Sequence, residues 1–338
     1  MAERIADIFL EREEQTLSPY AFLTKNTRGR DYPYVPCENR TEFQRDRDRI
    51  IHSKSFRRMM HKTQVFLFPA DEHYRTRMTH TLEVTQVARI IARALRLNED
   101  LTEAAALGHD LGHTPFGHAG EVAMQQCFSP NFTHYKQSVR VVEKLEKDGQ
   151  GLNLTWEVRD GILNHTGKCM ASTLEGVIVK FADRIAYINH DIDDACRAGI
   201  LSLDDIPKEL LEVLGRGHSE RINRMVTSVI TASEGKPEIA FTDEVGEATM
   251  ALRKFLFENV YTNPLAKSED NKAQELLARL FEYYVKHPDE MPELYYRNTK
   301  NEPVERCVCD FVGGMTDRYA IDRYTELFIP QVWRGKQL

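Results

Sequence analysis

The chain has 338 residues, of which 41% are hydrophobic and 29% charged; this balance supplies a sizeable core and excludes disordered, collagenous and disulfide-stapled classes. Its 45 Lys and Arg against 52 Asp and Glu give a formal charge of −7, so no global basic field drives sequence-independent binding to nucleic acid. Cys37, Cys127, Cys169, Cys196, Cys307 and Cys309 lack C-x-x-C spacing and read as reduced side chains rather than zinc ligands.

Acidic residues at Glu3 and Asp7 argue against a secretory signal, and no apolar run approaches the about 20 residues of a membrane helix. A cytoplasmic protein without a membrane partner is expected. Residues 1–40, with Pro19, Gly29, Pro33 and Pro36, read as an arm containing a short helix. Residues 41–61 are helix-compatible and carry a basic cluster (Arg45, Arg47, Arg49, Lys54, Arg57, Arg58, with Lys62 just beyond), which fits a solvated helix face or an anion-binding surface. QVFLF at 64–68 allows a short hairpin. Apolar residues near period 3.6 predict a helix over 76–97, with His80 in its first turn. A second helix runs through 101–111; Gly112, Pro115 and Gly117 then mark a tight loop before a third helix from about His118. Further helical patterns lie at 136–148, 155–165, 172–198, 207–231, 244–261, 270–286 and 302–327. The expected fold is all-α. SEGKPE at 233–238 divides a catalytic domain (41–232) from a C-terminal helical part (233–338) packed on the same core.

Histidine is distributed unevenly: six of the twelve (His73, His80, His109, His113, His118, His134) fall between positions 73 and 134. Histidine is the commonest metal ligand and acid–base side chain, so the excess points to a site. His80 lies on one predicted helix and His109-Asp110 at the end of the next. Asp183 lies in an apolar helix, where an unpaired carboxylate is costly and a cation is the economical partner. Two imidazoles and two carboxylates leave positions open for water and substrate, which suits Mn, Fe, Co, Ni or Mg better than a closed zinc site.

The pattern His80…His109-Asp110…Asp183 resembles that of the HD-domain phosphohydrolase superfamily. The strings RTRMTHTLEV, GHDLGHTPFGHAGE, FADRIAYINHD and GGMTDRYA resemble the bacterial deoxyguanosine triphosphate triphosphohydrolase (dGTPase)-like family, over about residues 53–319. The resemblance implies an HD helical bundle with additional C-terminal helices. It also implies hydrolysis of deoxynucleoside triphosphates, dGTP among them, to deoxynucleoside and inorganic triphosphate. One divalent metal, with Mn favoured, would be held by His80, His109, Asp110 and Asp183. His118, oriented by Glu121, would donate a proton, with His134 near the phosphates and Asp191 completing the catalytic set. Lys62, Arg77, His113 and Arg184 would line the phosphates, Gln64 would read the 3′-OH, and Tyr187 would stack on C2′ and exclude a ribose. His165 is either a partner of His134 at a second metal or a supporting group. His73 and His190 read as local hydrogen-bonding residues. Arg253, Lys254 and Tyr261 either close over the phosphates or form a subunit contact. An even-numbered homo-oligomer, a hexamer or other, is expected, with single-stranded DNA as a further partner through the basic segment. A phosphomonoesterase, a cyclic phosphodiesterase and a nucleotide- or single-stranded-DNA-binding regulator with little turnover are the alternatives.

Overall fold

The computed structural model describes residues 4–64, 74–263 and 269–330. The fold is all-α; among the described residues the one β-type pairing is an isolated antiparallel bridge between Thr63 and Thr76. The hairpin expected around 64–68 lies, beyond Gln64, outside the described residues, as does His73.

The N-terminal helix α1 (Ile5–Thr16) is followed by α2 (Glu42–Ile51) and α3 (Lys54–Arg58). The single helix expected over 41–61 is therefore broken. Ser53 accepts a hydrogen bond from Phe56 N and starts a new helix, and Glu146 accepts from the first-turn amides of Lys54 and Ser55. The arm is also fastened: buried Arg30 is paired with Glu42 and Asp46, and Glu157 accepts from Thr27 Oγ1 and Arg28 N. Much of the basic segment is engaged locally, Arg49 with the carbonyls of Leu152 and Asn153 and Arg47 with Asp48 and Glu103.

The middle of the chain contains α4 (Arg77–Ala94), α5 (Glu99–Gly108), α6 (Gly117–Cys127), α7 (His134–Arg140), α8 (Trp156–Asn164) and α9 (Leu174–Arg197). Asn98 both ends the preceding segment and caps α5 by accepting from Leu101 N. Beyond α9 come α10 (Lys208–Leu214), α11 (His218–Ser233) and α12 (Asp243–Leu256). The continuous pattern over 207–231 is split at Gly215, whose φ of +96° ends α10. The last helices are α13 (Asp270–Lys286), α14 (Glu293–Asn298), α15 (Val304–Gly313) and α16 (Asp317–Phe328). Here too one expected helix becomes two, because Thr316 caps α16 through Tyr319 N.

Three apolar clusters hold these layers together. The first joins α4, α5 and α9 through Val84, Ile91, Ala105, Ile178 and Ile185, and takes in Leu252, Leu256 and Val260 from beyond 238. Residues on both sides of SEGKPE thus contribute to this one cluster. The second packs Phe116, Ala123 and Met124 against α13, α15 and α16. The third packs α2 and α3 on α5 and α8 through Phe43, Ile50, Leu107 and Ile162. The turn between α5 and α6 lies where the three meet.

Candidate active site

The α5–α6 turn explains how His109 and Asp110, adjacent in sequence, serve one site. Regular helix ends at Gly108, and hydrogen bonds from Leu111 N to Gly108 O and from His113 N to Asp110 O wind the chain more tightly. Two glycines permit the close packing this requires. A Cβ on Gly112 would sit 2.1 Å from Ser138 N, and one on Gly120 would sit 2.0 Å from Pro115 O.

At the floor, His80 Nε2 lies 3.2 Å from Asp183 Oδ1 and 4.0 Å from Asp110 Oδ2, and His109 Nε2 lies 3.5 Å from Asp110 Oδ1. Arg77 donates to Asp110 Oδ2 at 2.6 Å. His109 Nδ1 contacts Ala106 O at 2.6 Å, which assigns the proton to Nδ1 and leaves an Nε2 lone pair that is buried without a partner. Ligand atoms of His80, His109 and Asp110 all lie within 4.8 Å of one another. This donor set fits a divalent cation. Burial opposes ionisation of Asp110, yet its charged surroundings, the Arg77 guanidinium at 2.6 Å among them, hold its carboxyl well below the usual range. Asp183 is likewise held down, against burial, chiefly by its bond to His80.

A second histidine group lies beside the first. Glu121 accepts from His134 N at 3.0 Å and from His134 Nδ1 at 3.2 Å. This corrects the expectation that Glu121 orients His118, which is exposed at the cavity. Position i+3 on a helix permits an interaction, but the turn at 128–133 brings His134 back to Glu121 first. His113 stacks on His134 with ring centroids 4.1 Å apart. His165 donates from Nδ1 to Ile162 O at 2.8 Å, and its Nε2 meets His134 Nε2 at 3.3 Å. Burial pushes His165 down to about 3, and the His134 ring lies between the Glu121 carboxylate and the His165 ring. Asp110, His113 and His134 form a second group with ligand atoms within 4.8 Å of one another.

The cavity above has a volume of about 390 Å³ and is lined by Gln64, Arg77, His80, Asp110, His113, His118, Glu121, His134, His165, Asp183, Tyr187 and Asp191. Buried His109 lies just beneath them. Two expected residues are not brought to the lining. Lys62 is buried, its amine donating to His113 O and Gly313 O, and burial pulls it down to about 7. Arg184 follows Asp183, a rotation of about 100° on the helix, and reaches Met250 Sδ instead. His190 contacts Glu83 at 3.1 Å and serves locally.

Arg253, Phe257 and Tyr261 also line the cavity. Arg253 Nε donates to Tyr187 OH at 2.8 Å and Tyr261 OH donates to the Asp191 carboxylate. Burial pushes the Asp191 carboxyl up to about 7, against the Tyr261 bond. The sequence signal for this part of the lining is the i, i+4, i+8 spacing of 253, 257 and 261, which matches that of Asp183, Tyr187 and Asp191 on α9. Phe257 was not singled out in the sequence.

Comparison with known proteins accords with this arrangement. Residues 77–188 match the HD domain and residues 239–326 match the phosphohydrolase-associated domain. A deoxyguanosinetriphosphate triphosphohydrolase-like protein from Caldanaerobacter subterraneus subsp. tengcongensis is 55% identical over 330 residues, 98% of this chain and 97% of the relative. The chain belongs to the dGTPase-like family. Relatives of the same description from Desulfatibacillum aliphaticivorans and Clostridium perfringens are each 48% identical, covering 96% and 94% of this chain and 98% and 96% of theirs. A phosphohydrolase structure from Bacteroides thetaiotaomicron shares the fold with a TM-score of 0.53 at 17% identity, over 82% of this chain and 67% of that one. The HD match spans His80, His109, Asp110 and Asp183, and the second match supplies Arg253 and Tyr261. As a dGTPase-like family member, the protein is an HD-type nucleotide hydrolase. No helix among the described residues is long and apolar enough to cross a membrane.

Proposed function

We propose that the protein hydrolyses deoxynucleoside triphosphates, dGTP among them, to the deoxynucleoside and inorganic triphosphate. The observation that carries this reading is one cavity whose lining combines a His/Asp cluster, His80, Asp110 and Asp183 beside the His113–His134 stack, with Tyr187 and the Asp191–Tyr261 pair. The cluster, with a bound cation, and Arg77 suit a polyanion, and the tyrosines and Asp191 suit a sugar.

His80, His109, Asp110 and Asp183 would hold a divalent ion, with Mn favoured among Mn, Fe, Co, Ni and Mg. When bound, such an ion supplies electrophilic stabilisation of charge at the reacting phosphoryl group. The chain's own residues do the rest. Arg77 fixes Asp110 and contributes positive charge to the lining. The His134 ring, braced by Glu121, offers hydrogen-bond donors to the phosphates. In the reaction a water oxygen bonds to the α-phosphorus and the bond from that phosphorus to O5′ breaks. The leaving O5′ takes a proton, which His118, whose exposed ring borders the cavity, would donate. Tyr187, pinned by Arg253, closes the space a 2′-OH would need, while Gln64 and the Asp191–Tyr261 pair offer polar partners for the 3′-OH.

An even-numbered homo-oligomer and single-stranded DNA as a partner belong to the same reading; light scattering and a salt-dependent oligonucleotide shift test them. The reaction itself is tested by turnover of dGTP with Mn²⁺ in H₂¹⁸O. Label in released triphosphate is expected. Release of orthophosphate would support a phosphomonoesterase and refute the proposal.

A further inference from the structure

The string GGMTDRYA spans the junction of α15 and α16, and none of its side chains lines the cavity. Its Asp317 is 4% exposed. Oδ1 accepts from Phe116 N at 2.9 Å; Oδ2 accepts from Thr63 N at 2.8 Å and from Thr63 Oγ1. One carboxylate therefore ties together two segments that are 53 residues apart in sequence, one leading into Gln64 and the other into His118.

The second segment needs a tie. Phe116 has φ +62° and ψ +24°, and Gly117 follows at φ +55°. Two successive left-handed residues turn the chain sharply just before His118, and for phenylalanine that conformation is unfavourable unless its surroundings enforce it. Three other contacts run through the same place. Lys62 bridges His113 O and Gly313 O. Arg77 Nη2 donates to Thr63 O and Gln64 O at 3.3 and 3.4 Å. A Cβ on Gly117 would lie 3.2 Å from Gln64 O. Residues 62–64 are thus threaded between the α5–α6 turn and the C-terminal helices.

We infer that Asp317 is a positioning residue: it holds the Gln64 and His118 segments in register, so that the C-terminal helices set the geometry of a site they do not line at this point. The inference rests on the roles proposed above for Gln64 and His118. Losing a charged acceptor shared by the buried Phe116 amide and the half-buried Thr63 amide is expected to cost about 10- to 100-fold in kcat.

The test compares Asp317→Asn and Thr63→Val with the wild type. Asp317→Asn places an amide N–H against a donor; the milder Thr63→Val removes only the hydroxyl contact. The expected result is a 10- to 100-fold lower kcat for Asp317→Asn and a several-fold loss for Thr63→Val, with manganese stoichiometry and melting temperature near wild type. Preference for dGTP over 2′,3′-dideoxy-GTP should fall in both, because Gln64 loses its register. Hydrogen exchange should quicken by about tenfold or more at residues 62–64 and 113–118 and stay unchanged in α9. Unchanged kcat and exchange in both variants would overturn the inference. So would a loss of activity that follows loss of metal and melting temperature in both, which marks a merely structural residue. If the wild type itself releases no triphosphate, the proposed reaction fails, and the exchange measurement still decides whether Asp317 holds the two segments.

Discussion

Replacing Gly112 by alanine would place a methyl carbon 2.1 Å from Ser138 N, 2.3 Å from Gln137 C and 2.7 Å from Ser138 Cα. All three are backbone atoms of α7, so no rotamer change relieves the clash. Restoring an ordinary 3.4 Å contact requires α7 and the α5–α6 turn to separate by about 1.3 Å. Overpacking of this kind costs about 1–3 kcal/mol and more where backbone must move. Separation also strains two hydrogen bonds, Gly112 N to Ser138 Oγ at 2.9 Å and Ser138 Oγ to His109 O at 2.8 Å, at about 1 kcal/mol each. Gly112→Ala is therefore expected to lose about 3–5 kcal/mol of unfolding free energy. Ser138→Ala, which removes only the hydroxyl, should lose about 1–2 kcal/mol. Urea unfolding of both variants checks this. Because the collision is with backbone, adding Ser138→Ala to Gly112→Ala should give no rescue. A Gly112→Ala protein within 0.5 kcal/mol of wild type would refute the packing argument.

Three further outcomes follow from the site and the core. His118→Ala should keep metal and nucleotide binding while kcat falls by about 10²–10⁴-fold; a near-normal kcat would remove the proton-donor role. Asp183→Ala should lose metal and activity together, and full metal content by elemental analysis would show the ligand assignment to be wrong. Glu175, fully buried, accepts from Phe22 N and Asn98 N at 2.9 Å, and burial pushes its carboxyl up to about 7. Its folded value lies above the ordinary one, so its contribution to stability is fully present at low pH and is lost as pH rises through 7. Wild type should lose about 1 kcal/mol between pH 6 and 8 relative to Glu175→Gln; equal changes in the two proteins by urea unfolding would contradict this.

The sequence made the helices legible wherever period and caps agreed. α4 and α9 extend close to their apolar stripes, and the turn expected at Gly112, Pro115 and Gly117 joins α5 to α6. Helix breaks were harder, because Ser53, Gly215 and Thr316 interrupt runs whose periodicity continues across them. Within the site, residues anchored in a motif could be placed, whereas the direction of a neighbouring cation could not. Lys62 and Arg184 are close to the motifs in sequence, yet one is drawn inward by two carbonyls and the other points to Met250. Contacts formed by the chain folding back were invisible for the same reason. Glu121 meets His134 only because of the turn between α6 and α7, and the Tyr187–Arg253 and Asp191–Tyr261 pairs join helices 66 and 70 residues apart.

The most direct test of the central claim is to incubate the purified protein with Mn²⁺ and each of the four dNTPs or GTP, alone and in pairs, and to resolve the products by ion-exchange chromatography. The account predicts deoxynucleoside and intact triphosphate in equal amounts from dNTPs, with GTP left uncut. Orthophosphate as the product, equal cleavage of GTP, or no turnover under any pairing would contradict it.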